Sequence, residues 1–303
     1  MSTETITWRD RAATVGEKVQ NQLAFVLSDR MALVGVLVMV SFVFLGVFGP
    51  MLAPHDPIED DIRDDEGDLL RLEGPSSVAP LGTTVYGKDI LSQFLAGARP
   101  TLIVGLFGGL GTGVLGFLVG LVSGYYGGWV DEVLMRLTDL TFSLPFMPMA
   151  LLLLTFVTPS IWLITVIIAG FLWKMPARVV RAEVLTLRER TFVKSARASG
   201  AGHLRTMFFH VAPNVLPIGF LYTAYGVAWA IAAAASLAFL GFGDPTTTSW
   251  GRMLRMVFDS GNIRVAWWWV FPPAIGIAAV TTSVFLIGRA YEEIINPEIQ
   301  TEQ

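Results

Sequence analysis

Cysteine is absent from this 303-residue chain, and with it go disulfide frameworks, thiolate metal sites and cysteine nucleophiles. Histidine is nearly absent. His55, His203 and His210 are the only three, so no H-E-x-x-H zinc helix can be written, and the G-x-S-x-G nucleophile elbow does not occur. Charge is scarce as well, at 15% of residues against 53% hydrophobic ones and a mean hydropathy of +0.59. Soluble domains carry about 25% charged residues, so this composition describes a polytopic membrane protein. Inside the long apolar runs ionisable residues are almost missing, with Asp139, Lys174 and Arg289 only at the edges. Ion-coupled carriers and pumps usually place such groups at mid-membrane, so their scarcity disfavours an ion-coupled carrier or channel. A membrane enzyme is disfavoured by the same inventory, since neither a nucleophile constellation nor metal spacing is visible.

What is present is a series of runs close to the ~20 apolar residues that a bilayer-crossing helix needs. The first is Met31 to Leu52, uncharged and preceded by a polar stretch too long for a signal peptide's charged region, which predicts an uncleaved first span. Within that stretch, Trp8 to Leu27 has apolar residues at loose helical spacing and reads as a segment lying along the membrane face. The second run, Thr101 to Gly124, carries Gly105, Gly109 and Gly113, then Gly116, Gly120 and Gly124, each set spaced by four. That spacing puts small residues on one helix face, where another backbone can pack closely. Thr141 to Trp173 is interrupted at Thr158 to Ser160 and predicts two spans joined by a tight outer turn, with Lys174 snorkelling at the end. Val215 to Leu237 and Trp267 to Gly288 bring the total to six, the last opened by the interfacial triplet Trp267, Trp268 and Trp269.

Two-thirds of the Lys and Arg residues fall on the cytoplasmic side if the N-terminus is inside, so the positive-inside rule places both termini there. The predicted division is a cytoplasmic segment at 1–30, a first transmembrane helix at 31–53 and an extracytoplasmic loop at 54–100. A core of five spans follows at 101–290, with a cytoplasmic loop at about 175–213, and a cytoplasmic tail at 291–303 closes the chain.

The acidic run "DPIEDDIRDDEGD", Asp56 to Asp68, reads as a solvated, flexible loop, with a halophilic or metal-scavenging role as the alternative. "GTTVYGKD", Gly82 to Asp89, nearly matches a P-loop, but Asp89 stands where a magnesium-ligating hydroxyl belongs and no apolar strand precedes it. His203 and His210, seven apart, would share a helix face; solvated histidines are the simpler reading than a metal or proton site.

The loop from Met175 to Pro213 holds more pattern than the others. Pro176 opens a polar helical run ending at Gly200, where a left-handed helix stop suits glycine. A second short run, His203 to Val211, carries Leu204, Met207, Phe208 and Val211 at helical spacing before Pro213 opens the next span. The result is a helix-turn-helix outside the membrane with one apolar and one basic face. Such an element either lies on lipid or docks a partner protein through small Ser195, Ala196 and Ala198, and the residues alone leave both open.

Several stretches in order resemble the C-type permease subunits of dipeptide, oligopeptide and nickel ABC importers, from about Met31 to Pro297. "LGTTVYGKD" echoes their "LGTDxxGRD", and "GYYGGWVDEVLMRLTD", Gly124 to Asp139, matches "GYYGGWVDExLMRxxD". "ASLAFLGFG" and "SWGRML", Ala235 to Leu254, match "ASLSFLGxG" and "SWGxML". The family signature E-A-A-x-x-x-G, with a proline 13 residues beyond the glycine, falls on Lys194, Ser195, Ala196, Gly200 and Pro213.

The resemblance implies an all-α membrane protein of six transmembrane helices with type I ABC importer architecture, in the plasma membrane of a prokaryote. It implies a homologous second permease subunit, two ATPase subunits that hold ATP and magnesium, an extracytoplasmic substrate-binding protein and surrounding lipid. Neither a cofactor on this chain nor nucleic acid is called for, and the cargo would be a peptide, nickel or a related small solute. The signature loop would be the coupling helix that seats on an ATPase, Ala196 and Gly200 its buried contacts and Gly200 its bend. Arg197, His203 and Arg205 would be its neighbours. The chain departs from the pattern at Lys194, where glutamate is usual, at Ala234, which replaces a glutamate in the fifth span, and at Arg289, which replaces an acidic residue.

Overall fold

The computed structural model describes residues 29–295, and the surface segment expected at Trp8 to Leu27 and the tail beyond Ile295 lie outside the described residues. The described chain is helical throughout, with two isolated β-bridges in the loop after the first helix. Helices are numbered α1 (Arg30–Leu52), α2 (Ile90–Tyr126), α3 (Gly128–Ser143), α4 (Phe146–Thr155), α5 (Ile161–Leu172) and α6 (Lys174–Arg188). Then come α7 (Thr191–Ala198), α8 (His203–Thr206), α9 (Ala212–Leu237), α10 (Trp250–Asp259) and α11 (Trp267–Ile295).

α2 is the axis of the bundle, packed by α9, α6, α5 and α1, and α11 closes the ring against α1 and α9. Its 37 residues make a rod of about 55 Å. It begins eleven residues before the apolar run that announces it. The reason is Asp89, whose buried carboxylate accepts from the backbone N–H groups of Leu91 (3.3 Å) and Ser92 (3.0 Å) and caps the helix. The P-loop-like stretch is therefore a capped turn. Ser92, Gln93 and Arg99 lie within α2, and Arg99 is not part of the preceding loop.

The glycines of α2 serve two neighbours. Gly105, Gly109 and Gly113 face Ile231, Val227 and Thr223 of α9, whereas Gly116, Gly120 and Gly124 face Pro176, Val180 and Val184 of α6. A methyl group added at Gly109 would stand 2.5 Å from the Val227 backbone nitrogen, and one at Gly120 would stand 2.6 Å from the Ala177 carbonyl oxygen. With no Cβ in the way the helices meet backbone to backbone, which in lipid supplies the packing that the hydrophobic effect does not.

Four helical stretches are each long and apolar enough to cross a membrane: α1, α2, α11 and a continuous run from His203 to Phe242 that contains α9. Two bent pairs, α3 with α4 (83°) and α5 with α6 (41°), raise the number to six if each pair is one span. The third expected span is thus broken at Leu144 and Pro145, and Pro145 starts α4 as its N-cap. The fourth continues past Trp173 into α6. Within the loop expected at 175–213, residues 174–188 form α6, which packs along α2. The single long helix expected up to Gly200 is two, parted at Arg190, whose ψ of 148° is extended.

The acidic run is ordered by its own carboxylates. Asp56 accepts from the N–H groups of Ile58 (2.8 Å) and Glu59 (2.7 Å), Asp64 from those of Glu66 (3.0 Å) and Asp68 (2.8 Å), and Asp61 pairs with Lys88 at 2.8 Å. The bonds from Glu59 and Ile58 hold Asp56 below the usual carboxylate range, and Lys88 does the same for Asp61. These carboxylates hold turns together, and no group of three metal-ligating side chains exists among the described residues.

Candidate functional site: the signature loop

α7 ends in a turn that only glycine adopts without strain. Gly200 has φ of +86°, its N–H donates to the Arg197 carbonyl (3.0 Å), and the Ala201 N–H donates to the Ala196 carbonyl (3.1 Å). This paired closure is the Schellman motif, and it fixes the direction in which the chain leaves α7. The chain then forms α8 and a wide i→i+5 turn, Met207–Val211, before α9 begins with Pro213 in its first turn. Seven residues spanning such a turn are no longer two 3.6-residue turns, so the face expected to join His203 and His210 is lost.

One side chain anchors α7. Val193 is fully buried in a cluster with Leu121 and Tyr125 of α2, Val180 and Val184 of α6, Met207 and Val211 of the wide turn, and Val215 of α9. Burying such a side chain contributes roughly 1.5–3 kcal/mol, and it places α7 in one core with residues of α2, α6 and α9. The opposite side is open: Lys194, Ser195, Ala198 and Gly200 are exposed, and a methyl added at Gly200 would meet nothing within 4 Å. Exposed Phe192, Leu204 and Phe209 border this small-residue face with apolar surface.

Of the sequence-predicted residues, Lys194, Ser195, Arg197, Gly200, His203, Arg205 and Pro213 are exposed, and Ala196 is half-buried. Arg197 bends back over the Tyr125 ring, 5.0 Å from its centroid, and the His203 ring lies 6.2 and 6.3 Å from those of Tyr125 and Tyr126. Arg197 and His203 therefore hold the loop to the end of α2; only Arg205 of the neighbours named is a free outward cation among the described residues. Lys194 pairs with Glu189 at 3.2 Å, both largely exposed.

A brace behind the loop escaped sequence reasoning. Asp131 of α3 takes a two-pronged bond from Arg181 of α6, at 2.5 Å to each carboxylate oxygen, and also accepts from Ser123 Oγ of α2. Arg188 Nη1 donates to the Gly124 carbonyl at 2.9 Å, Arg178 pairs with Asp139 at 2.6 Å, and Lys174 Nζ donates to the Thr141 carbonyl at 2.9 Å. The signal lay in the spacing: Lys174, Arg178 and Arg181 follow one helix face, and Asp131 and Asp139 another, eight residues apart.

The sequence as a whole has known relatives. The family described as "Binding-protein-dependent transport system inner membrane component" matches residues 116–300, and "N-terminal TM domain of oligopeptide transport permease C" matches residues 26–75. The chain belongs to this permease family. The dipeptide transport system permease protein of Alkalihalophilus pseudofirmus is 32% identical over 90% of this chain and 88% of its own length. The di/tripeptide transport system permease protein of Pseudomonas aeruginosa is 35% identical, covering 90% and 89%. The glutathione transport system permease protein of Pectobacterium atrosepticum is 29% identical over 91% and 89%.

The protein is thus a multi-pass inner-membrane permease subunit of an ABC importer, working within a transport system of several components. Its family-matching "GYYGGWVDE" stretch is the α2–α3 corner that carries Tyr125 and Asp131. Two departures from the family pattern have structural roles or settings in this permease. Arg289 pairs with Asp29 at 2.8 Å and with Glu293 at 3.5 Å, tying the end of α11 to the start of α1. Ala234 lines a small cavity with Thr101, Ile164 and Asp244.

Proposed function

We propose that this permease forms half of a translocation pathway for short peptides, delivered by an extracytoplasmic binding protein, and that α7 is its docking element for a cytoplasmic ATPase. A homologous second permease subunit forms the other half, two ATPase subunits carry ATP and magnesium, and both termini are cytoplasmic. The peptide cargo rests on what the relatives named above transport. The observation that carries the docking assignment is the exposed small-residue face of α7, aimed by the Gly200 turn and rooted through Val193 in the base of α2, α6 and α9. A surface fixed at its back and empty at its front transmits a push without absorbing it. ATP-driven closure of the ATPases would then bias the inward-open and outward-open states, because a binding event shifts only an equilibrium whose states it distinguishes.

Gly200→Trp tests the assignment. The variant fills the docking face and forces a bulky side chain into a left-handed position, while every span keeps its sequence. Co-purification of the tagged chain in mild detergent should recover ATPase subunits with the native sequence and lose them with Gly200→Trp, both chains inserting normally. Normal ATP-driven peptide uptake by the variant would refute the docking assignment. A chain that purifies without any ATPase and conducts protons in vesicles lacking ATP would favour an ion-coupled carrier instead.

A further inference from the structure

Arg99 stands in the third turn of α2, exposed and without a hydrogen-bond or ion-pair partner among the described residues. It lines a groove between α1 and α2 of about 410 Å³, walled by Met39, Val43 and Val47 on one side and Leu102, Ile103 and Leu106 on the other. Apart from Arg99 the walls are hydrocarbon, and Val43, Val47 and Leu106 are each about half exposed or more. Arg99 is the wall residue of α2 nearest the loop end, so the cation closes the groove at that end.

The depth of Arg99 follows from its neighbours. A methyl added at Gly46 of α1 would stand 3.9 Å from the Arg99 Cα, and α1 ends at Leu52. Six residues of helix place the Arg99 backbone about 9 Å inside the end of α1, within reach of the headgroup layer for a snorkelling side chain. A cation at that depth without a protein partner calls for an anion. The groove beneath it calls for a hydrocarbon chain. A neighbouring polypeptide would have to bring a carboxylate out of water to satisfy Arg99, whereas a lipid phosphate already lies at the headgroup level.

We infer that the α1–α2 groove is a phospholipid site, with an acyl chain between Val43 and Ile103 and the phosphodiester on the Arg99 guanidinium. The planar fork of arginine suits two phosphate oxygens at once. The shared phosphodiester is the recognised group, so phosphatidylglycerol and phosphatidylethanolamine both qualify.

Native mass spectrometry of the permease in its purified assembly tests the site, with phosphatidylglycerol titrated in mild detergent against diacylglycerol of the same chains. The native protein should hold one phosphatidylglycerol that Arg99→Gln holds roughly tenfold more weakly, the loss expected for one charge-assisted contact. Val43→Trp, which fills the groove from a half-exposed position and keeps the cation, should weaken retention as well. Equal retention by the native protein and Arg99→Gln, or equal retention of diacylglycerol, would overturn the inference. Because the chain has no cysteine, Val43→Cys provides a unique label. Its reaction with a lipid-soluble maleimide supports a lipid-filled groove; a cross-link to a second permease subunit would show that protein covers it and refute the site.

Discussion

Gly109→Ala adds one methyl group where α2 and α9 cross, and the structure gives the size of the effect. The new Cβ would stand 2.5 Å from both the backbone nitrogen and Cγ2 of Val227, and 2.7 Å from its Cα, where ordinary contacts are 3.4–4 Å. Two of the three atoms are backbone and cannot rotate away, so α9 must retreat by about 1 Å, and overpacking of this kind costs typically 1–3 kcal/mol. Gly170→Ala is the matched control, for its methyl meets nothing within 4 Å and gains about 0.5–1 kcal/mol of helix preference. Thermal unfolding of the purified permease in one detergent should therefore lower the midpoint for Gly109→Ala and hold or raise it for Gly170→Ala. ATP-driven uptake should fall for the first and persist for the second. Midpoints for Gly109→Ala at or above those of Gly170→Ala would refute the backbone-contact reading of this seam.

Three further outcomes follow from the contacts described. Asp131→Asn, which weakens the two-pronged bond to Arg181, should destabilise the permease by roughly 1.5–3 kcal/mol, and Arg181→Gln added to it should cost little more; additive losses in a double-mutant cycle would deny the pairing. Asp244, in the loop between α9 and α10, is raised by burial but lowered further by bonds from Thr246 and from the Ile161 N–H at the start of α5, so its net position is below the ordinary 3.8. A depressed carboxylate stabilises the fold above its unfolded value and loses that contribution as pH falls through the lower folded value. The stability gap between the native protein and Asp244→Asn should thus stay constant above about pH 5 and shrink in the acid range; a gap independent of pH would show that the ionised form is not what matters. Lys194→Glu breaks an exposed pair with Glu189 and should change stability by no more than about 0.5 kcal/mol while altering ATPase recovery; unaltered recovery would reduce Lys194 to a solvent-facing residue.

The spans and the signature turn were legible because each has a local cause. Glycines spaced by four announce a close helix contact, and Gly200 after a helical run announces a left-handed stop. The start of α2 was hidden because Ser92, Gln93 and Arg99 depress the hydropathy of its first turns; Ser92 and Gln93 are polar since they meet the loop, Ser92 Oγ accepting from the His55 N–H and Gln93 donating to the Pro57 carbonyl. The arginine brace was hidden for another reason. Asp131 and Arg181 are fifty residues apart, and although the spacing marks a charged face on each helix, nothing local predicts that two helix bends will bring those faces together. Arg197 likewise carries the same charge whether it faces a partner or the Tyr125 ring, and how the helices pack, not its neighbours in the chain, decides which.

The helical run from His203 to Phe242 is 40 residues, about 60 Å long, with a wide turn near its start and a kink at Gly241 near its end, and its backbone comes closest to the α2 glycines at Val227 rather than at either end. Tilting as one body about that point, it would be a seesaw with unequal arms, about 36 Å to the signature loop and about 22 Å to the opposite end. A rigid tilt about that pivot moves the two ends in opposite directions and trades a longer stroke at the loop for a shorter, stronger one at the far side. Opening at one face and closing at the other would then be a single motion, and the glycines at the pivot set how freely it turns.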